Sequence, residues 1–360
     1  MVFLALKSIR FKMAWKPCLS WLGMRHLSIF STASPSNWTK VVSDAEKIVG
    51  YPTSFMSLRC LLSDELSNVA MHVRKLVGTK HPLLNTARGF VYDSRNNLQM
   101  RGLVVLLMSK AAGPSSSDPI HDSMVSGIYP SQRNLAEITE LIHTAFLVHR
   151  GIVNLKEWTN SDGPLKDMQF GNKMAVVELI SSAIGDVVQG IYHESSTLAE
   201  QGSLTISSWE DQAFLSHGAL LAKSCQAAMK LAKHGAEAQN LAFQYGKHLA
   251  LGHKLNSELQ PFVKSGSEPV GFSLDSAPVV FHRNIVGLES WSQQLKQVQN
   301  ISRQTDYTKL RGMIKLEQGI NQALDLCSYH GNKALEAMEC FPPSEARSAL
   351  ENMACAITKF

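Results

Sequence analysis

Residues 135–154 read Leu-Ala-Glu-Ile-Thr-Glu-Leu-Ile-His-Thr-Ala-Phe-Leu-Val-His-Arg-Gly-Ile-Val-Asn, and their spacing decides the fold class. Leu135, Ile138, Leu141, Ile142, Ala145 and Val148 recur every three to four positions, which lines one face of a helix with apolar side chains. The spacing predicts a helix over 134–149. Residues 174–192, 212–234, 237–256 and 318–340 carry a similar pattern and are rich in Ala, Leu, Lys and Gln, all good helix formers. Alternation with period two, the mark of a half-buried strand, is hardly seen. The expectation is an all-α helical bundle in one domain over 40–360.

Breaks between these segments are clear. Gly113-Pro114 followed by Ser115, Ser116 and Ser117 opens a polar loop to about residue 131, Asp162-Gly163-Pro164 makes a second, and 264–276 (Gly266, Pro269, Gly271) a third. Pro342-Pro343 stops one helix, and Ser344 is placed to cap the last. With 44% apolar and 18% charged residues in 360, the chain can build a full core, which excludes disordered, collagen-like and disulfide-scaffold classes. The longest unbroken apolar run, Leu103 to Met108, is far shorter than the roughly 20 residues that cross a bilayer. No transmembrane segment is expected.

The formal charge is +5, yet Lys7, Arg10, Lys12, Lys16, Arg25 and Lys40 all precede the first acidic residue, Asp44. The body of the chain is therefore close to neutral and has no electrostatic footprint for nucleic acid. Residues 1–35 combine spaced basic residues with Leu4, Ile9, Phe11, Trp15, Leu19 and Leu22 and a run of serines. Acid-free, Ser-rich amphipathic segments of this kind are typical mitochondrial transit peptides, so the expected destination is the mitochondrial matrix; a basic membrane-surface helix is the other reading. The cysteines (Cys18, Cys60, Cys225, Cys327, Cys340, Cys355) show neither a C-x-x-C pair nor zinc-ligand spacing. No disulfide and no metal are assigned to them.

Few residues suggest chemistry unaided. Glu140 and His143 form one E-x-x-H pair, whereas di-iron bundles need two such pairs and two further Glu residues; a packed or capped polar spot is expected instead. There is no G-x-S-x-G and no G-x-x-x-x-G-K-[ST]. His217-Gly218 and Tyr329-His330-Gly331 are read as His and Gly at helix ends.

The stretch Glu140 to Asn154 resembles the first aspartate-rich helix of the trans-isoprenyl diphosphate synthases, in which an E-x-I-H-T-A-S-L-x-H lead-in runs into D-D-x-x-D. Carboxylates at those spacings share a helix face and hold magnesium against an allylic diphosphate, neutralising the leaving group. Here the aspartate positions fall on Arg150, Gly151 and Asn154. The helix Phe243 to Gly252 is similar to the one leading to the second motif, whose places are taken by Ser257, Glu258 and Pro261. Both motifs are degenerate, and the resemblance implies no catalytic residue and no metal in this chain.

Other segments are similar to the family in part. Met100 to Leu107 resembles the G-K-x-x-R-P segment that grips the second substrate's diphosphate: Arg101 matches and is the one substrate-binding candidate, while Leu98 and Gly102 replace Lys and Pro. His217-Gly218 stands at the family's K-T pair, and Ser276-Ala277-Pro278-Val279 and Pro343 to Leu350 match late helical segments. The likeness spans roughly 45–358, and implies an isoprenoid-synthase-type bundle. A leader combined with two lost aspartate motifs, and the stretch Ser43 to Ser67 with Tyr51-Pro52-Thr53-Ser54-Phe55, is similar to the non-catalytic subunits of heteromeric decaprenyl or solanesyl diphosphate synthases. That resemblance implies a catalytic partner subunit that carries the Mg2+ and joins isopentenyl diphosphate to an allylic diphosphate for the ubiquinone side chain, in a heterotetramer.

The chain also departs from the family. After Gly171-Asn172-Lys173-Met174-Ala175 the family continues with an L-x-G-D-x-L-L helix, whereas Ala175 runs straight into Val176-Val177-Glu178-Leu179-Ile180. About 20 residues are missing near 175/176, a helix of about 30 Å at 1.5 Å per residue. Either the shortened form is less stable than a full-length relative, or 166–192 forms one fused helix beside a groove. Two other functions compete with the subunit reading: an independent transferase using displaced acids such as Glu137, Glu140, Glu258 or Asp186, and a non-enzymatic isoprenoid-binding or scaffold protein, which includes an inactive truncated isoform.

Overall fold

A computed structural model describes residues 36–49, 100–115, 124, 126–153, 174–197, 205–263, 271–298, 306–315 and 318–360. The described residues are helical, without a strand. In chain order the helices are α1 (Ser36–Val49), α2 (Met100–Ala112), α3 (Pro130–Val153), α4 (Met174–Thr197), α5 (Ile206–Ala213), α6 (Ala219–Leu231) and α7 (Ala236–Val263). The series continues with α8 (Ala277–Val286), α9 (Leu288–Val298), α10 (Tyr307–Lys315), α11 (Gly319–Met338) and α12 (Glu345–Ala356). The leader and the Asp162-Gly163-Pro164 loop lie outside the described residues.

The apolar run Leu103–Met108 is the centre of this bundle. Each of its six side chains is buried, because α2 is surrounded by α1, α3, α6 and α12. A helix that is apolar all round is a core helix. The long α7 packs along both α6 and α11, and glycine permits the close approach: a Cβ at Gly246 would stand 2.8 Å from the Ala222 Cα. A second apolar cluster joins Trp209 to Leu251, Leu255, Leu259, Val280 and Cys327, and a third, around Phe262, Val279, Trp291, Leu310 and Ile314, seats α8 to α10.

Several boundaries differ from expectation. α7 extends seven residues past 256, so Ser257, Glu258 and Pro261 are helical, Pro261 lying in the last turn. Ser344 caps α12 as expected, its hydroxyl accepting from the Arg347 N–H at 3.1 Å. The segment 212–234 is not one uniform helix: a π-turn, Phe214–Gly218, separates α5 from α6. His217-Gly218 is therefore not a helix end. Nor is Tyr329-His330-Gly331, which lies inside α11, Gly331 being needed beside the Thr358 methyl and the Ala354 carbonyl. Of the expected 166–192 helix, the described part begins at Met174.

Candidate functional site

Arg101, Glu140, His143 and His217 meet where α2, α3 and the π-turn approach one another, with His253 of α7 nearby. Arg101, in the first turn of α2, donates to His143 Nε2 at 2.7 Å and to the His217 carbonyl at 3.4 Å. In a π-turn each N–H reaches back five residues instead of four, which shifts carbonyls off the regular ladder. The turn is held against α4, where Gly190 leaves no room for a Cβ beside the Ser216 backbone. Since Arg101 is the donor, His143 carries its proton on Nδ1. Burial, then Arg101 and His253, hold His143 well below the usual imidazole range, and burial with Arg101 and Lys254 nearby brings His253 down to about 4. Both rings are neutral at pH 7.

Glu140 shares this cluster. Its Oε2 accepts the Gly102 N–H at 2.8 Å, one of the free donors in the first turn of α2. The carboxyl is thus a cap supplied from another helix, and the helix dipole favours it there. Burial pushes it up to about 7 against the pull of that hydrogen bond and of Arg101, while burial lowers Arg101 to about 10. The packed-and-capped reading of the E-x-x-H pair therefore holds. Gly102, where the family has Pro, supplies the N–H that Pro lacks, and a Cβ there would meet the Ala136 carbonyl at 3.0 Å.

The second motif is also closed. Ser257 is exposed, and its hydroxyl donates to the His253 carbonyl at 3.0 Å. Glu258 Oε2 accepts the N–H of Ala277, first residue of α8, at 2.8 Å, and Oε1 lies 3.2 Å from Lys254 Nζ. Burial raises its pKa, with Lys254 and the Ala277 N–H pulling the other way. Magnesium requires near-octahedral oxygen ligands at about 2.0–2.1 Å, and these residues do not fit it: one carboxylate is present, already engaged, with an ammonium beside it. Among the described residues no group of three or more His, Cys, Asp or Glu is placed to hold a metal. Arg150 and Gly151 occupy the last turn of α3, and Asn154 lies outside the described residues.

The displaced acids do not converge either. Asp186 pairs with Lys223 of α6, Glu140 and Glu258 are the helix caps just described, and Glu137 is half-buried on α3. A cavity of about 40 Å³ lies beside Arg101, walled by His143, Phe146, Val187, Ile191, Ser216 and Leu220. It has room for a few waters. A further polar chain that spacing did not reveal runs from α5 to α7: Glu210 Oε1 lies 3.3 Å from His330 Nε2, and His330 Nδ1 is 2.9 Å from His248 Nδ1. The partners lie on opposite sides of the His330 ring, so they cannot share one ion.

No family model matches the chain. It is 60% identical to the human protein "All trans-polyprenyl-diphosphate synthase PDSS2", with 96% of this chain and 94% of that one covered. The chain belongs to the trans-polyprenyl diphosphate synthase family. That alignment runs over 381 positions, more than the 360 residues present, so part of the relative has no counterpart here. A probable mitochondrial hexaprenyl pyrophosphate synthase of Neurospora crassa is a more distant member, 28% identical over 89% of this chain and 87% of its own. Among solved structures, the fold matches geranylgeranyl pyrophosphate synthetase from Pyrococcus horikoshii with a TM-score of 0.62 at 18% identity, covering 91% of this chain and 99% of that one. The all-α bundle is thus the fold of this synthase family.

Proposed function

We propose that this chain is the non-catalytic subunit of a heteromeric polyprenyl diphosphate synthase that makes the ubiquinone side chain. One observation carries the reading: Glu258, the acid left in the second motif, is committed to capping α8 and pairing with Lys254. With Ser257 and Pro261 in the neighbouring ligand places, the second motif offers no seat for the cations that let a diphosphate leave. The Mg2+ and the chemistry belong to a catalytic partner of the same family, and the assembly is a heterotetramer. Arg101, the substrate-binding candidate, serves here as a structural clamp on His143 and the π-turn. The mitochondrial label of the Neurospora relative and the acid-free leader support import, with residues 1–35 as the transit peptide and the matrix as destination. The shortened segment falls at 175/176.

Co-expression with a catalytic polyprenyl diphosphate synthase subunit tests this directly. The two chains should copurify, and the isolated chain with magnesium, an allylic diphosphate and isopentenyl diphosphate should form no product. Turnover by the isolated chain, or failure to copurify, overturns it. The scaffold alternative needs a tunnel for an isoprenoid, and the cavity of about 40 Å³ beside Arg101 argues against one there.

A further inference from the structure

At the far end of α2 from Arg101 lies a cavity of about 250 Å³. Ala112 at its edge is eleven residues past Arg101, about 16 Å along the helix at 1.5 Å per residue, so this space is separate from the site above. Its walls are largely apolar: Ala112, Ala238, Leu241, Phe341 and Pro342. An apolar cavity of about 150 Å³ takes a benzene ring, so this one has room for a ring with a short tail.

The polar lining consists of Glu237, His234 and Cys340. His234 Nε2 lies 3.0 Å from the Gly113 carbonyl, which can only accept, so the ring donates there and Nδ1 of the neutral imidazole is an acceptor. The Glu237 carboxylate also only accepts. Neither lysine nor arginine is among the lining residues. Lys110, two positions before Ala112, places its ammonium on the Ile48 carbonyl at 2.6 Å. The N-terminus of α7 adds roughly half a positive charge, which the full charge of Glu237 outweighs. The rim therefore suits a cation that donates hydrogen bonds.

The walls are held in place from within the chain. Lys233, in the α6–α7 turn, has φ of 57°, a left-handed conformation that persists where the surroundings over-determine it. They do so here: the His234 N–H donates to the Met229 carbonyl at 3.0 Å, and the His234 carbonyl accepts from Gln239 Nε2 at 2.7 Å. On the opposite wall Arg347 Nη1 donates to the Phe341 carbonyl at 2.6 Å. A preformed site loses little entropy when a ligand enters.

We propose that this cavity binds a small lipophilic primary amine, its hydrocarbon body between Leu241 and Phe341 and its ammonium at Glu237 and the His234 imidazole. The acceptor-only rim selects the cation over a carboxylate of the same shape, which would meet Glu237 as a like charge. Binding there is independent of the subunit role proposed above.

The exposed thiol of Cys340 reports occupancy. The full chain is alkylated with iodoacetamide at constant ionic strength in the presence of 2-phenylethylamine, and each cysteine is followed by peptide mass spectrometry. A ligand of about nine non-hydrogen atoms should bind with a Kd on the order of 1 mM. At about 10 mM the amine should slow Cys340 at least about fivefold and leave Cys355, which does not line the cavity, unchanged. Phenylacetate and 2-phenylethanol at the same concentration should slow Cys340 by no more than about twofold. Glu237→Gln, at an exposed position, should raise the Kd for the amine about tenfold without altering the circular dichroism. Unchanged alkylation of Cys340 in the amine, equal protection by phenylacetate or 2-phenylethanol, or a Glu237→Gln chain that binds as tightly overturns the proposal. So does slowing of Cys355 in step with Cys340, or protection of Cys340 by a copurified catalytic subunit in the absence of amine.

Discussion

Replacing Glu258 separates a structural acid from a metal ligand. Its carboxylate accepts the Ala277 N–H at 2.8 Å and sits 3.2 Å from Lys254 Nζ, the Lys254 and Glu258 side chains being 26% and 12% exposed. Losing a helix cap costs about 1 kcal/mol, and a hydrogen bond to a charged group about 1.5–3 kcal/mol. Lys254 can rehydrate once its partner is gone, which discounts the ion pair. Glu258→Ala should therefore destabilise the chain by about 2–3 kcal/mol, and Glu258→Gln, which keeps the acceptor, by about 1 kcal/mol. Burial raises the Glu258 pKa, so its contribution is greatest below the unfolded carboxylate pKa and declines as pH rises through the folded value. The gap between wild type and Glu258→Gln should narrow in that direction. Urea melts at two pH values measure both effects. A Glu258→Ala chain within about 0.5 kcal/mol of wild type, the scatter expected for an uninvolved surface position, would refute the capping role.

Three further outcomes follow from the same geometry. Millimolar magnesium should leave the urea midpoint of the isolated chain unchanged, since only a ligand bound by the folded state stabilises it; a rise that EDTA reverses would reveal a cation site. Burial holds His248 and His253 at about 4, His330 at about 3, and His143 also low, so stability is full above pH 6.5 and falls toward pH 4, by about 1.4 kcal/mol per pH unit for each proton taken up on unfolding. Glu140, raised to about 7, opposes this by losing its contribution as pH rises from 4.5; melts at pH 5 and 7.5 should still favour the higher pH, and His330→Gln should flatten the slope. Gly246→Ala should cost more than 2 kcal/mol, because its Cβ would stand 2.8 Å from the Ala222 Cα where backbone cannot yield, and thermal denaturation would register it.

The sequence by itself determined the helices and the loss of the acids. Apolar spacing of three to four is a local property of the chain, so α3, α4 and α11 were legible to within about five residues and α7 except for its last two turns, and a missing aspartate is missing in any fold. It could not say what the remaining polar groups do. Glu140 and Gly102 are 38 positions apart, and Glu258 and Ala277 19 apart; a cap supplied from another helix depends on how helices dock. The same limit hid the π-turn at 214–218, which answers to Arg101 and Gly190 from distant segments, and the Glu210–His330–His248 chain. Whether the end of α2, the start of α7 and the α11–α12 connector left a cavity also waited on tertiary structure, because an amphipathic pattern tells which residues share a face and not how closely a neighbour docks against it.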